Sequence, residues 1–173
     1  MTSADILYAF IFFLPAGVSN MTPIFVSKLP YLRNFKQPLD FGKQYKGKPI
    51  FGKNKTWRGL ISGTIAGTLT ALVIYQFSDN FSPLYILAGT LMSFGALFGD
   101  AAESFFKRQK GVPAGKSWFP FDQTDYIIGG LIFSAPLGIL TWELAGLIAV
   151  LYFGLHLLSS YIGFLLRLKD SPI

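Results

Sequence analysis

Five predominantly apolar stretches dominate this chain, at about 5 to 27, 59 to 77, 84 to 105, 126 to 142 and 144 to 166. A helix crosses the hydrocarbon core of a bilayer with ~20 such residues. Together the stretches occupy most of the 173 residues, so no separate soluble domain is left. The sequence therefore predicts one all-α integral membrane domain, residues 1 to 173, with about five transmembrane helices. Two loops, about 28 to 58 and 106 to 125, are expected to form the site. Charged residues make up 14% of the chain and the mean hydropathy is +0.46, whereas soluble domains are about a quarter charged. The first stretch carries Asp5 and no basic residue before it, so it reads as a retained helix kinked at Pro15, not as a secretory signal. With no cysteine, a disulfide framework, a thiolate metal site and a cysteine nucleophile are all excluded.

All 15 lysines and arginines fall in three places. Nine lie between the first and second stretches, four between the third and fourth (Lys107, Arg108, Lys110, Lys116), and two in the tail (Arg167, Lys169). Five helices put these places on one side, facing a side that bears Asp5, Asp79 and Glu143 and no base. The positive-inside rule then predicts the N-terminus outside, and the C-terminus and site in the cytoplasm of a cell-membrane protein.

The basic loop contains GKPIFGKNKTWRG, in which Gly47 is followed after four residues by Gly52-Lys53. That is P-loop spacing, but a P-loop has Ser or Thr after its lysine to bind magnesium, and Asn54 stands here. Gly42 and Gly47-Lys48 repeat the pattern, so the loop reads as a basic surface with glycines suited to close backbone approach. A lipid-surface anchor explains the sign of the charge. A short loop tied to a membrane argues against a nucleic-acid partner.

Small residues at Gly59, Gly63 and Gly67, and at Gly95 and Gly99, suit close helix packing within the chain or in a homodimer. His156, alone in the last stretch, reads as a helix contact and stays outside the expected site. The acids are different. Asp100, Glu103 and Lys107 share one helix face at spacing i, i+3, i+7, and Asp122 and Asp125 stand i, i+3 at the start of the next span. Ion pairing with Lys107, Arg108 and Lys116 would account for some of them. Acids at a membrane edge are costly, however, and mark functional sites. Four of them suit a hard cation such as magnesium, which takes one or two carboxylates and completes its shell with phosphate and water. Beside the lysines and arginines, they describe a polyphosphate site at a membrane surface.

These residues also carry a resemblance. GDAAESFFKR followed by FDQTD resembles the signature of CDP-diacylglycerol synthases, and FGKNKTWRG with GVPAGKSWFPFDQTD is closer still to the archaeal CDP-archaeol synthases. The match departs after Gly111-Val112, where Pro113-Ala114-Gly115-Lys116 replaces the Lys-Asp of the diacylglycerol enzymes. Their Pro-Gly-His-Gly-Gly is missing too, and Gln123 replaces an arginine between the paired aspartates.

The resemblance implies a cytidylyltransferase joining CTP to an isoprenoid ether-lipid phosphate, with magnesium on Asp100, Asp122 and Asp125 and Glu103 as a fourth or supporting group. It implies that Lys107, Arg108 and Lys116 face the triphosphate or lipid phosphate, and that Gly52, Lys53, Asn54, Lys55, Thr56 and Arg58 close over CTP. The alternative from another class is a membrane transporter or channel for anions, which would carry charge near the bilayer midplane and often an inverted repeat. Here the acids sit at helix ends.

Overall fold

The computed structural model describes residues 2–113 and 116–165. The tail bases Arg167 and Lys169 lie outside the described residues. Among the described residues there are five α-helices: α1 (Ser3–Val26), α2 (Trp57–Phe77), α3 (Leu84–Gln109), α4 (Phe121–Ser134) and α5 (Trp142–Leu165). The chain is an all-α membrane protein in which α1, α2, α3 and α5 are each long and apolar enough to span a bilayer. α1 starts on a capping box, Thr2 with Asp5, which satisfies amides that the first turn leaves free. It continues as one helix through Pro15 and Pro23.

The fourth helix differs from the expected 126 to 142. It begins at Phe121, close to Pro120, and ends at Ser134, because Pro136 and a left-handed Gly138 turn the chain through a 3-10 segment, Ala135–Leu137. Asp122 and Asp125 therefore belong to the first turns of α4 rather than to a loop before it.

Glycines set the helix spacing. Gly59, Gly63 and Gly67 are all buried on one face of α2. A Cβ on Gly63 would stand 2.7 Å from the Ser19 carbonyl oxygen of α1, and one on Gly67 would meet Ser93 of α3. Between α3 and α4 the approach is backbone to backbone: a side chain on Gly99 would collide with the Asp125 carbonyl, and one on Gly95 with that of Gly129. The small-residue faces are thus consumed inside the chain, as membrane helices without a hydrophobic driving force require. At the end away from the basic loops, Phe12, Phe81 and Tyr85 form an aromatic core, and the Tyr85 hydroxyl donates to the carbonyls of Ile11 and Phe12 at 3.0 and 3.1 Å.

The first basic loop has more order than its composition suggests. Gln44–Tyr45 (β1) and Lys48–Pro49 (β2) form an antiparallel hairpin. The recurring Gly-Lys pairs are explained by backbone conformation. Lys46 and Gly47, with φ of 50° and 74°, make the two-residue hairpin turn, which needs left-handed residues. The expected role for these glycines, close approach to a ligand, finds no support at Gly47, where a Cβ would meet nothing within 4 Å.

Candidate active site

The loop is held in shape by one carboxylate. Asp40 is buried and accepts hydrogen bonds from the amides of Gly42, Phe51 and Gly52 at 2.9, 2.8 and 3.0 Å. Around it, Leu39 N–H donates to the Lys55 carbonyl at 2.8 Å and Trp57 N–H to that of Gln37 at 3.0 Å, so 37–39 runs antiparallel to 55–57. The hairpin docks on the end of α3, where Lys48 Nζ donates to the Gln109 carbonyl at 2.5 Å. Arg58 ties the far side, donating to the Leu32 carbonyl at 2.8 Å.

Burial raises the Asp40 pKa, but the amides of Phe51, Gly52 and Gly42 outweigh it and hold the carboxyl below the ordinary carboxylate range. A folded pKa lowered in this way stabilises the loop above the unfolded value, about 4, and the contribution fades as pH falls through the folded value. Loop order is therefore complete at neutral pH and weakens only in acid. Asp40→Asn removes the charge and turns an amide toward three donors. Bonds to charged groups contribute about 1.5–3 kcal/mol each, so we expect local stability to fall by about 2–3 kcal/mol. The check is faster hydrogen exchange at the Gly52 amide and faster proteolysis within 37–56.

Loop, helices and acids meet in one cavity of about 990 Å³. Lys53, Asn54, Lys55, Thr56 and Arg58 line one wall, and Asp100, Asp122 and Asp125 the other. Thr56 caps α2, its hydroxyl accepting from Gly59 N–H at 3.2 Å, so the N-terminus of a helix with no acid in its first turn opens at the cavity. Such a terminus favours an anion. Two lysines make three ion pairs here. Lys55 Nζ stands 2.6 Å from Asp100 Oδ1, and Lys107 Nζ lies 2.7 Å from Asp122 Oδ1 and 3.6 Å from Glu103 Oε1. Asp122 also accepts from Trp118 N–H at 2.7 Å, and Asp125 from Tyr126 N–H.

Not every expected residue lines this cavity. Glu103 and Lys107 are buried behind Asp122, and Arg108 packs its side chain 3.7 Å from where a Gly52 Cβ would be. Lys116 is exposed on the following loop. Gly52 lies at the head of the loop with φ of 86°, its amide held by Asp40. Among the described residues no three of Asp, Glu and His close on one point at metal-binding distance. The three aspartates nevertheless share a cavity, two of them already facing ammonium groups. A cation that takes one or two carboxylates and finds its other ligands on phosphate and water fits this donor set.

Asn20, Arg33, Lys36 and His156, all outside the expected site, also line the cavity. Arg33 and Lys36 had a signal in the basic loop. Asn20 had one as a lone amide in an apolar helix, and His156, read as a helix contact, has its ring 5.8 Å from that of Tyr126 as well.

The family model of CarS-like CDP-archaeol synthases matches residues 3–173. The chain belongs to the CDP-archaeol synthase family. A CDP-archaeol synthase of Thermococcus onnurineus is 34% identical over 177 residues, covering 99% of each chain. Those of Saccharolobus islandicus and Thermococcus kodakarensis are each 32% identical, covering 97% and 98% of this chain and 96% and 97% of their own. A solved structure described as an intramembrane enzyme for archaeal membrane lipids biosynthesis is similar with a TM-score of 0.77 and 33% identity, over 89% of this chain and 93% of that one. The family likeness thus extends over the helices as well as the two basic loops.

Proposed function

We propose that this CDP-archaeol synthase family member transfers CMP from CTP to an isoprenoid ether-lipid phosphate, giving a CDP-activated lipid and pyrophosphate. The observation that carries this reading is the cavity in which Lys53, Lys55 and Arg58 face Asp100, Asp122 and Asp125. Two anionic reactants must be brought together, and neutralising their charge is the demanding part. A phosphate monoester bears about −1.5 to −2 charges at pH 7 and is already a nucleophile, so no histidine or cysteine base is needed. One of its oxygens attacks the α-phosphorus of CTP, the bond from that phosphorus to the β-bridging oxygen breaks, and pyrophosphate leaves with the electron pair. The protein's task is in-line alignment and charge stabilisation.

The basic wall and the N-terminus of α2 hold the triphosphate, while Asn54 and the backbone around Gly52 close over it. Magnesium, when bound by Asp100, Asp122 and Asp125 with Glu103 behind them, supplies charge neutralisation on the phosphates. Lys55, paired with Asp100 in the structure, would turn to the incoming phosphate and leave the Asp100 carboxylate available as a ligand. Lys107 keeps Asp122 oriented, and Arg108 and Lys116, outside the cavity lining, add positive potential from the end of α3 and the loop after it. The charge pattern favours an N-terminus outside and a site on the cytoplasmic surface.

The test is pyrophosphate release by the purified protein with magnesium, CTP and a range of lipid phosphates. Release that requires all three supports the reading. Absence of release with every lipid phosphate would sink it.

A further inference from the structure

We propose that the acceptor lipid phosphate enters the cavity sideways from the bilayer, through the seam between α1 and α5, with its head group against Asn20 and His156. This rests on the cytidylyl-transfer reading. Midway along the seam the two helices are locked together. The Tyr152 hydroxyl donates to the Phe10 carbonyl at 2.7 Å, its ring packs edge-on against Phe13 at 5.0 Å, and a Cβ on Gly17 would touch it at 3.2 Å. One turn nearer the site the same faces of the two helices border the cavity. Asn20 and Ile24 follow Gly17 on the same face of α1, and His156 follows Tyr152 on α5. These three line the cavity. Ile24 is also 60% exposed, so it marks a rim where the cavity meets the outer surface of the helices.

The chemistry of the substrate asks for such an opening. A long-chain lipid reaching the cavity from water would lose the bilayer contact of every methylene, whereas through a side opening its chains stay in lipid. Its phosphate must still meet polar groups inside the wall. Asn20 carries the one amide side chain of α1, and that side chain has no hydrogen-bond partner among the described residues. A polar group at that depth suits a ligand-facing position.

A second apolar groove, of about 510 Å³, runs along α3 and α4 past Phe98, Phe106, Ile128 and Phe133. It also reaches Asp125, but Gly99 is packed on the Asp125 carbonyl and Gly95 on that of Gly129, so tight backbone contact between α3 and α4 runs along that groove. The head group is assigned to the α1–α5 side.

The absence of cysteine makes the test direct. Ile24→Cys and Ile128→Cys, one on each groove, are compared before and after reaction with a bulky maleimide. Labelling Ile24→Cys is expected to raise the KM for lipid phosphate tenfold or more and leave the KM for CTP unchanged, while labelling Ile128→Cys changes neither. Asn20→Leu should raise the lipid KM several-fold, with recovery in Asn20→Gln. An unchanged lipid KM in labelled Ile24→Cys, or an effect confined to Ile128→Cys, would overturn the α1–α5 seam and leave the cytidylyl reading standing. Absence of turnover in the native sequence with CTP and every lipid phosphate would overturn that reading itself, and the seam with it.

Discussion

Asp122→Asn and Asp125→Asn are each expected to lower product formation on the order of 10²–10³-fold, the loss typical when one group stabilising transition-state charge is removed. Asparagine has nearly the same shape and keeps an oxygen acceptor, so the bonds from Trp118 N–H to position 122 and from Tyr126 N–H to position 125 can persist. What disappears is negative charge on the cavity wall, and with it, on the proposed reading, a ligand for a hard cation beside the triphosphate. The Asp125 main chain also stays in place, because Gly99 packs on its carbonyl regardless of the side chain. The measurement pairs kcat/KM with a thermal melt in the same detergent. A collapse in turnover with a retained melting midpoint for Asp125→Asn is the expected pattern. Near-normal activity in either variant would show that the carboxylate at that position is structural.

Lys107→Met should fail differently, losing fold and activity together. The Lys107 side chain is 9% exposed and lies between Glu103 and Asp122, so methionine leaves two carboxylates facing each other without a cation. Removing one partner from a buried ion pair costs about 3–5 kcal/mol, since the remaining charge stays desolvated. The double variant Lys107→Met with Glu103→Gln should recover part of that loss, because it removes the uncompensated charge along with the base. Chemical denaturation or a thermal melt reads both. A Lys107→Met protein as stable as the original would mean that water already screens this cluster.

Much of the architecture was legible because the bilayer imposes a length and a polarity on each span. Hydropathy located α1, α2, α3 and α5 but displaced α4, whose bounds are set by Pro120 and Pro136, and the small-residue spacing at Gly63, Gly67, Gly95 and Gly99 marked where backbones approach. The acids Asp100, Asp122 and Asp125 stood out because charge at a membrane edge is costly, and they do share one cavity. What escaped the sequence depends on long-range partners. Asp40 looked like one more loop acid until its three amide donors, from residues up to twelve positions away, came together. The Gly-Lys repeat looked like a ligand cradle, but Lys46-Gly47 is spent on a hairpin turn. Asn20 and His156 are 136 positions apart on the chain, and only the packing of α1 beside α5 brings both to the same cavity.

The central claim is that the CMP portion of CTP moves to the lipid. The most direct test incubates the purified protein with magnesium and an isoprenoid ether-lipid phosphate, using CTP labelled at the α-phosphate in one reaction and at the γ-phosphate in another, followed by partition into organic solvent. The account predicts that the α label enters the organic phase with the lipid while the γ label stays in water as pyrophosphate. An α label that remains in water throughout, or a γ label that moves to the lipid, would contradict it.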